Sequence, residues 1–156
     1  MRWGEFEKER PDLAAEGKRL LYQFGVGLGF LATTARNGSP RVHPMCPVFV
    51  GDGIYGLIEP GPKRGDLHRD GRYALHCFPP AVNEDAFYIT GRASHIVDAA
   101  LIADAGGVFF LEERKLAEIP PQSTTELFEF DIERCLVTRT TGHGDWNPHH
   151  DIWRAK

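Results

Sequence analysis

Cysteine is scarce in this chain: Cys46, Cys77 and Cys135 are the only three in 156 residues. An odd, scattered set makes neither a disulfide framework nor the paired CxxC spacing of a zinc module, so a reducing, cytoplasmic setting is the expectation. Long hydrophobic runs are also lacking. No stretch approaches the roughly 20 apolar residues that a membrane-spanning helix needs, and the opening Met1-Arg2-Trp3-Gly4-Glu5 has no apolar signal-peptide core. A membrane partner is therefore not expected. Nor is there a surplus of positive charge. Eighteen basic residues face 22 acidic ones for a net charge of -4, whereas nucleic-acid binders need cations to displace counterions from phosphates. Acidic or basic tracts, internal repeats and low-complexity segments are absent too.

What remains is an ordinary globular composition, 42% hydrophobic and 26% charged. The length suits one domain, 1–156, able to bury a core without cross-links. From Pro11 to Phe24, Leu13, Gly17, Leu20, Leu21 and Phe24 fall near one helical face, which predicts an opening helix over 11–24. The period then shortens. Gly29 to Thr34 reads as a strand, Asn37-Gly38 as a tight turn, Arg41 to Val50 as a second strand, and Ile54 to Ile58 as a third after Gly51-Asp52-Gly53. Pro44 and Pro47 remove two ladder donors from the second strand, which must be bulged, kinked or at an edge.

After the rigid Glu59-Pro60-Gly61-Pro62, a short helix runs from Lys63 to Arg69 and closes at Gly71. Strands follow at Tyr73 to Phe78 and Ala86 to about Val97, then a helix over Ala99 to Leu116 with a weak point at Gly106-Gly107. Two last strands are expected at Leu127 to Ile132 and Leu136 to Thr140. Six or seven short antiparallel strands with few helices predict a mainly β fold, a small barrel over about 29–140. The tail 141–156 carries Trp146, Trp153, His143, His149 and His150 without clear periodicity, so it is expected to leave its own barrel.

Candidate chemistry starts at Arg41 and His43. Two residues apart on a strand, they share a face while Val42 and Pro44 point the other way. Lys63 and Arg64 open the short helix, where unpaired N–H groups and the dipole make cations mildly unfavourable unless an anion is present. They are either solvated surface charges or a phosphate cradle.

Four ordered segments bear on that choice: Gly38-Ser39-Pro40-Arg41-Val42-His43-Pro44, Asp52-Gly53-Ile54-Tyr55, Pro62-Lys63-Arg64-Gly65-Asp66-Leu67 and Asp70-Gly71-Arg72-Tyr73-Ala74-Leu75. Together they resemble the FMN-binding split β-barrel family related to pyridoxamine 5'-phosphate oxidase. The resemblance implies a six- to seven-stranded antiparallel split barrel, phosphate contacts from Arg41, Lys63 and Arg64, and ring contacts from Val42, His43, Leu57 and Ile58. It also implies a homodimer that completes the site across the interface: Trp146 and Trp153 of the tail either cover their own barrel or, the favoured reading, reach the partner subunit, with Trp146 stacking near the ring. A flavin-dependent oxidoreductase acting on a small-molecule redox substrate follows, with deazaflavin as an alternative cofactor and a flavin- or haem-sequestering stress protein as a non-enzymatic alternative.

The pattern departs from the vitamin oxidases at two places. Met45-Cys46-Pro47 stands where they carry a substrate-phosphate lysine, and Asp104 to Phe110 stands where they carry a Tyr, Arg and Ser set. Pyridoxamine phosphate is therefore not the expected substrate. Other features read as structural. Gly25-Val26-Gly27-Leu28-Gly29 follows a helix and precedes a strand, the reverse of a dinucleotide loop. Asn37-Gly38-Ser39 is a turn rather than a glycosylation site, Cys46 a small strand residue, and His76 an interior hydrogen-bonded histidine. The tail histidines lack the spacing of a zinc pair, and no metal site is expected.

Overall fold

Two prolines decide how the sheet closes. In the computed structural model, which describes residues 1–120 and 124–156, the segment read as one second strand is two: β2 (Pro40–Met45) and β3 (Pro47–Val50), broken at Cys46. The other elements, in chain order, are α1 (Trp3–Glu9), α2 (Pro11–Leu21) and β1 (Gly29–Thr34) before the break. After it come β4 (Gly53–Ile58), α3 (Pro62–Arg69), β5 (Arg72–Cys77), β6 (Ala86–Ile96), α4 (Ala99–Gly106), a π-helical segment Gly107–Glu113, β7 (Glu126–Arg139) and β8 (His149–Arg154).

The antiparallel order is β2-β1-β5-β6-β7-β4-β3, with β8 also on β7. Because β2 and β3 are consecutive in the chain yet end the two sides of this path, the sheet curls into a half-barrel. A strand lacking N–H groups at both Pro44 and Pro47 can change partners at Cys46 at little hydrogen-bonding cost, pairing with β1 before the break and β4 after it.

The split barrel is thus as expected in class, with eight strands among the described residues rather than six or seven. β7 runs unbroken where two strands were predicted. Thr90 pairs with Arg134 but Gly91 with Ile132, so Glu133 is an extra residue in a bulge. The inward set accordingly changes phase from Phe128, Phe130 and Ile132 to Cys135 and Val137. That phase change mimics a strand break. A Cβ on Gly91 would lie 1.8 Å from the Asp131 carbonyl oxygen, so glycine is required at this approach.

The tail is a second correction. β8 pairs along the second half of β7, from Arg134 against Arg154 to Arg139 against His149. Trp153 is buried against Phe6, ring centroids 4.9 Å apart, and its Nε1 donates to Glu9 Oε1 at 3.1 Å. Trp153 therefore covers its own barrel. One inward residue in six is too weak a pattern to show as a strand. The seven-residue α1 was likewise not legible, although its Trp3 and Phe6 sit in the main core with Leu13, Leu20 and Phe87. His76 is a third correction: it is exposed, with Nδ1 2.6 Å from the Cys77 carbonyl. Among the described residues, no helix is long and apolar enough to cross a membrane.

Candidate functional site

Alternation along β2 sets the polarity of the site. Opposite Thr33 and Leu31 of β1, Arg41 and His43 take the inward-facing phase, while Val42 is 62% exposed on the other face. Beneath Arg41 lies α3, which Pro62 starts and which carries no side-chain N-cap and no acidic residue in its first turn. Gly61 precedes it at φ 156° and ψ -176°, a region that only glycine enters readily.

The anchor between β2 and α3 is Asp66, only 4% exposed. Its carboxylate accepts hydrogen bonds from Thr33 Oγ1 (2.9 Å), Arg41 Nε (2.9 Å) and Arg69 (3.0 Å). Burial alone would push Asp66 up; these donors outweigh it and hold the carboxyl below its ordinary value. Asp66 lies in a motif that the sequence displays, but nothing in the spacing shows that it partners a residue 25 positions earlier.

His43 and Lys63 complete the cluster. The Nε2 of His43 is buried with no hydrogen-bond partner. Burial, then the nearby cations of Lys63 and Arg41, lower its pKa, so the imidazole is neutral at pH 7. Lys63 is half-buried, and its Nζ reaches the Pro44 carbonyl at only 3.4 Å. Burial lowers its pKa as well, against the opposing pull of Cys46 and Glu59. His43 Nε2 is the atom that a ligand would relieve, since a buried polar atom without a partner costs stability.

A cavity of about 190 Å³ opens beside Lys63, lined also by Pro44, Met45, Cys46, Leu57 and Phe109. Of the residues predicted from sequence, Leu57 and Lys63 line this cavity; His43 and Arg41 do not line it but are tied to α3, His43 through the field of Lys63 and Arg41 through Asp66. The rest are placed differently. Ile58 has its side chain fully buried in the core, so only its backbone could touch a ligand. Arg64 turns away, donating to the Thr124 carbonyl at 2.8 Å and standing 3.5 Å from Glu126. Trp146 is wholly exposed in the loop before β8.

A larger cavity, about 500 Å³, was not legible at all. It lies between α2, β3 and the π-helical segment, lined by Lys18, Tyr22, Phe49, Val108 and Glu113 among others. Tyr22 donates to Glu113 Oε1 at 2.6 Å, and burial, reinforced by that carboxylate, pushes its phenol well up. The weak point read at Gly106-Gly107 is where α4 gives way to the π-helix that walls this cavity.

No protein-family model matches the chain, and no curated protein matches it. Solved structures do. A haem-binding protein from Mycobacterium smegmatis aligns with a TM-score of 0.67 at 18% identity, covering 93% of this chain and 59% of that one. A pyridoxamine 5'-phosphate oxidase-related, FMN-binding protein from Nostoc punctiforme aligns at 0.66 and 11% identity, covering 94% and 91%. The chain has the split-barrel fold. A NimC/NimA family protein from Clostridium acetobutylicum belongs to the same set of split-barrel neighbours, with a TM-score of 0.62, 10% identity and coverage of 89% and 92%. The split barrel described here spans about three fifths of the length of the mycobacterial protein.

Proposed function

We propose that this split barrel is an FMN-binding oxidoreductase that works as a homodimer. The observation that carries the reading is Lys63: a half-buried cation with one long hydrogen bond, at the uncapped start of a helix and on the wall of a cavity. Such a group is stabilised by an anion, and a phosphate meets both the ammonium and the first-turn N–H groups. Arg41 lies beside it, oriented by Asp66. His43 offers a buried, neutral imidazole nitrogen that a ligand or substrate could engage. FMN, when bound, supplies the redox chemistry, and the chain supplies binding, orientation and exclusion of water.

Leu57, Met45 and Phe109 make much of the remaining wall apolar, and Glu59 adds a carboxylate to it, which favours a planar or apolar substrate over a phosphorylated one. The FMN-binding neighbour supports this reading. The haem-binding neighbour supports a second, in which the same barrel sequesters haem. Absorbance of the purified protein separates the two, since flavin is a bleachable yellow and haem has a sharp Soret band; deazaflavin would keep the phosphate contacts but shift the spectrum.

Titration of FMN by fluorescence quenching tests the site. Lys63→Ala removes one charge-assisted bond and is expected to cost roughly 1.5–3 kcal/mol, or one to two decades of affinity. The fold should be unaffected, because Lys63 holds nothing else firmly. Arg41→Ala should weaken FMN similarly but also lower the melting temperature, because it strips a donor from buried Asp66. Parent-like affinity in both variants would show that the phosphate is held elsewhere.

A further inference from the structure

Outside this cavity, three side chains from three elements converge on one point. His68 is on the last turn of α3, His95 near the end of β6 and Glu126 at the start of β7. Both imidazoles aim Nε2 at the same carboxylate oxygen: His68 lies 2.5 Å and His95 3.8 Å from Glu126 Oε2. All three ligand atoms lie within 4.8 Å of one another. Phe128 lies against both imidazoles, ring centroids 5.1 Å from His68 and 5.4 Å from His95, which limits how far either can swing. Arg64 stands 3.5 Å from the other oxygen of Glu126, leaving Oε2 to face the histidines.

We propose that His68, His95 and Glu126 form a binding site for a divalent first-row transition metal, with Zn²⁺ as its best-suited occupant. Two imidazole nitrogens and one carboxylate oxygen are a donor set that such ions take, and three protein ligands leave a fourth position for water. Tetrahedral coordination at Zn–N and Zn–O distances near 2.0–2.2 Å places ligand atoms roughly 3.3–3.5 Å apart. The present spacings straddle that range, so small side-chain rotations close the set without moving backbone. Helix α3 then has two functional ends, Lys63 toward the cavity and His68 toward the metal. The metal site does not depend on the FMN reading, because it uses none of the cavity residues.

Isothermal titration of the full chain with Zn²⁺, after chelator treatment, tests the assignment. The parent should take up one ion per chain, and His95→Gln and Glu126→Gln should each weaken uptake by more than about tenfold. His95→Gln is the cleaner variant, since what His95 touches is Glu126 at 3.8 Å and the rings of His68 and Phe128, contacts that a glutamine of similar length partly keeps, and unchanged melting temperature confirms its fold. Replacing His149 and His150 together by Gln should leave the affinity as in the parent. Absence of uptake by the parent, a smaller effect of His95→Gln in folded protein, or loss of uptake in the tail variant overturns the proposal.

Discussion

Asp66 shows what one residue does in this molecule. It is a buried anion that turns two arginines and a threonine into a fixed frame, and so joins the strand that carries His43 to the helix that carries Lys63. Its arginine partners are about one third exposed, so water compensates part of their loss. Asp66→Asn is therefore expected to cost about 2 kcal/mol, the lower part of the range for hydrogen bonds to charged groups, measurable by urea unfolding at pH 7. The pH dependence has a definite sign. The folded carboxyl titrates below its unfolded value of about 3.9, so its stabilisation is complete above that value and is lost as pH falls through the folded value. Parent and variant should converge in stability below about pH 4; a constant gap down to pH 2 would mean that the charge is not what matters. From sequence alone, period-two alternation was enough to place Arg41 and His43 on one face. Their dependence on Asp66 was not legible, because the link crosses from a strand to a helix 25 residues away.

At the scale of elements, the ends of the chain are tied together. α1 and β8 lie at opposite termini, each too short to announce itself by periodicity, and each is held by an aromatic that the other buries: Phe6 from α1 and Trp153 from β8. The Trp153–Glu9 hydrogen bond adds a polar lock. Trp153→Ala should cost about 3–5 kcal/mol, as for other large aromatic truncations in cores, and appear as a lowered melting temperature with the sheet's circular dichroism largely kept. A loss below about 1 kcal/mol would show that β8 is a loose flap. The same scale explains what sequence periodicity could and could not deliver. Strands β1, β4 and β5 alternate cleanly or are framed by turns, and their positions were legible. The split of β2 from β3 was half visible in Pro44 and Pro47, but the exchange of partners at Cys46 is a property of the closed sheet. The bulge at Glu133 hid the continuity of β7 because an extra residue inverts the inward set.

At the scale of the whole molecule, the question is what covers the outer face of β2, β1, β5 and β6. The register aligns Val42, Ala32, Ala74 and Thr90 in one row across these strands, and Pro44, Phe30, His76 and Tyr88 in the next. Small side chains in one row beside rings in the other make a mostly apolar surface, and Val42 at its edge is 62% exposed. A second copy of the chain would suit such a surface. It would also give the fully exposed Trp146 something to stack on. An obligate dimer of this kind buries more than about 2,000 Å² in total, so light scattering at micromolar concentration should report a dimer. Val42→Glu places a charge at that apolar edge and is expected to yield folded monomer with weakened FMN binding. Lys63→Ala, by contrast, should lose FMN affinity and remain dimeric. Trp146 is wholly exposed, so the melting temperature of Trp146→Ala should match the parent while FMN affinity falls, if the partner's tail completes the site. Monomeric parent protein with FMN still bound would exclude a shared site, and a Val42→Glu variant that stays dimeric would move the interface to another face of the barrel.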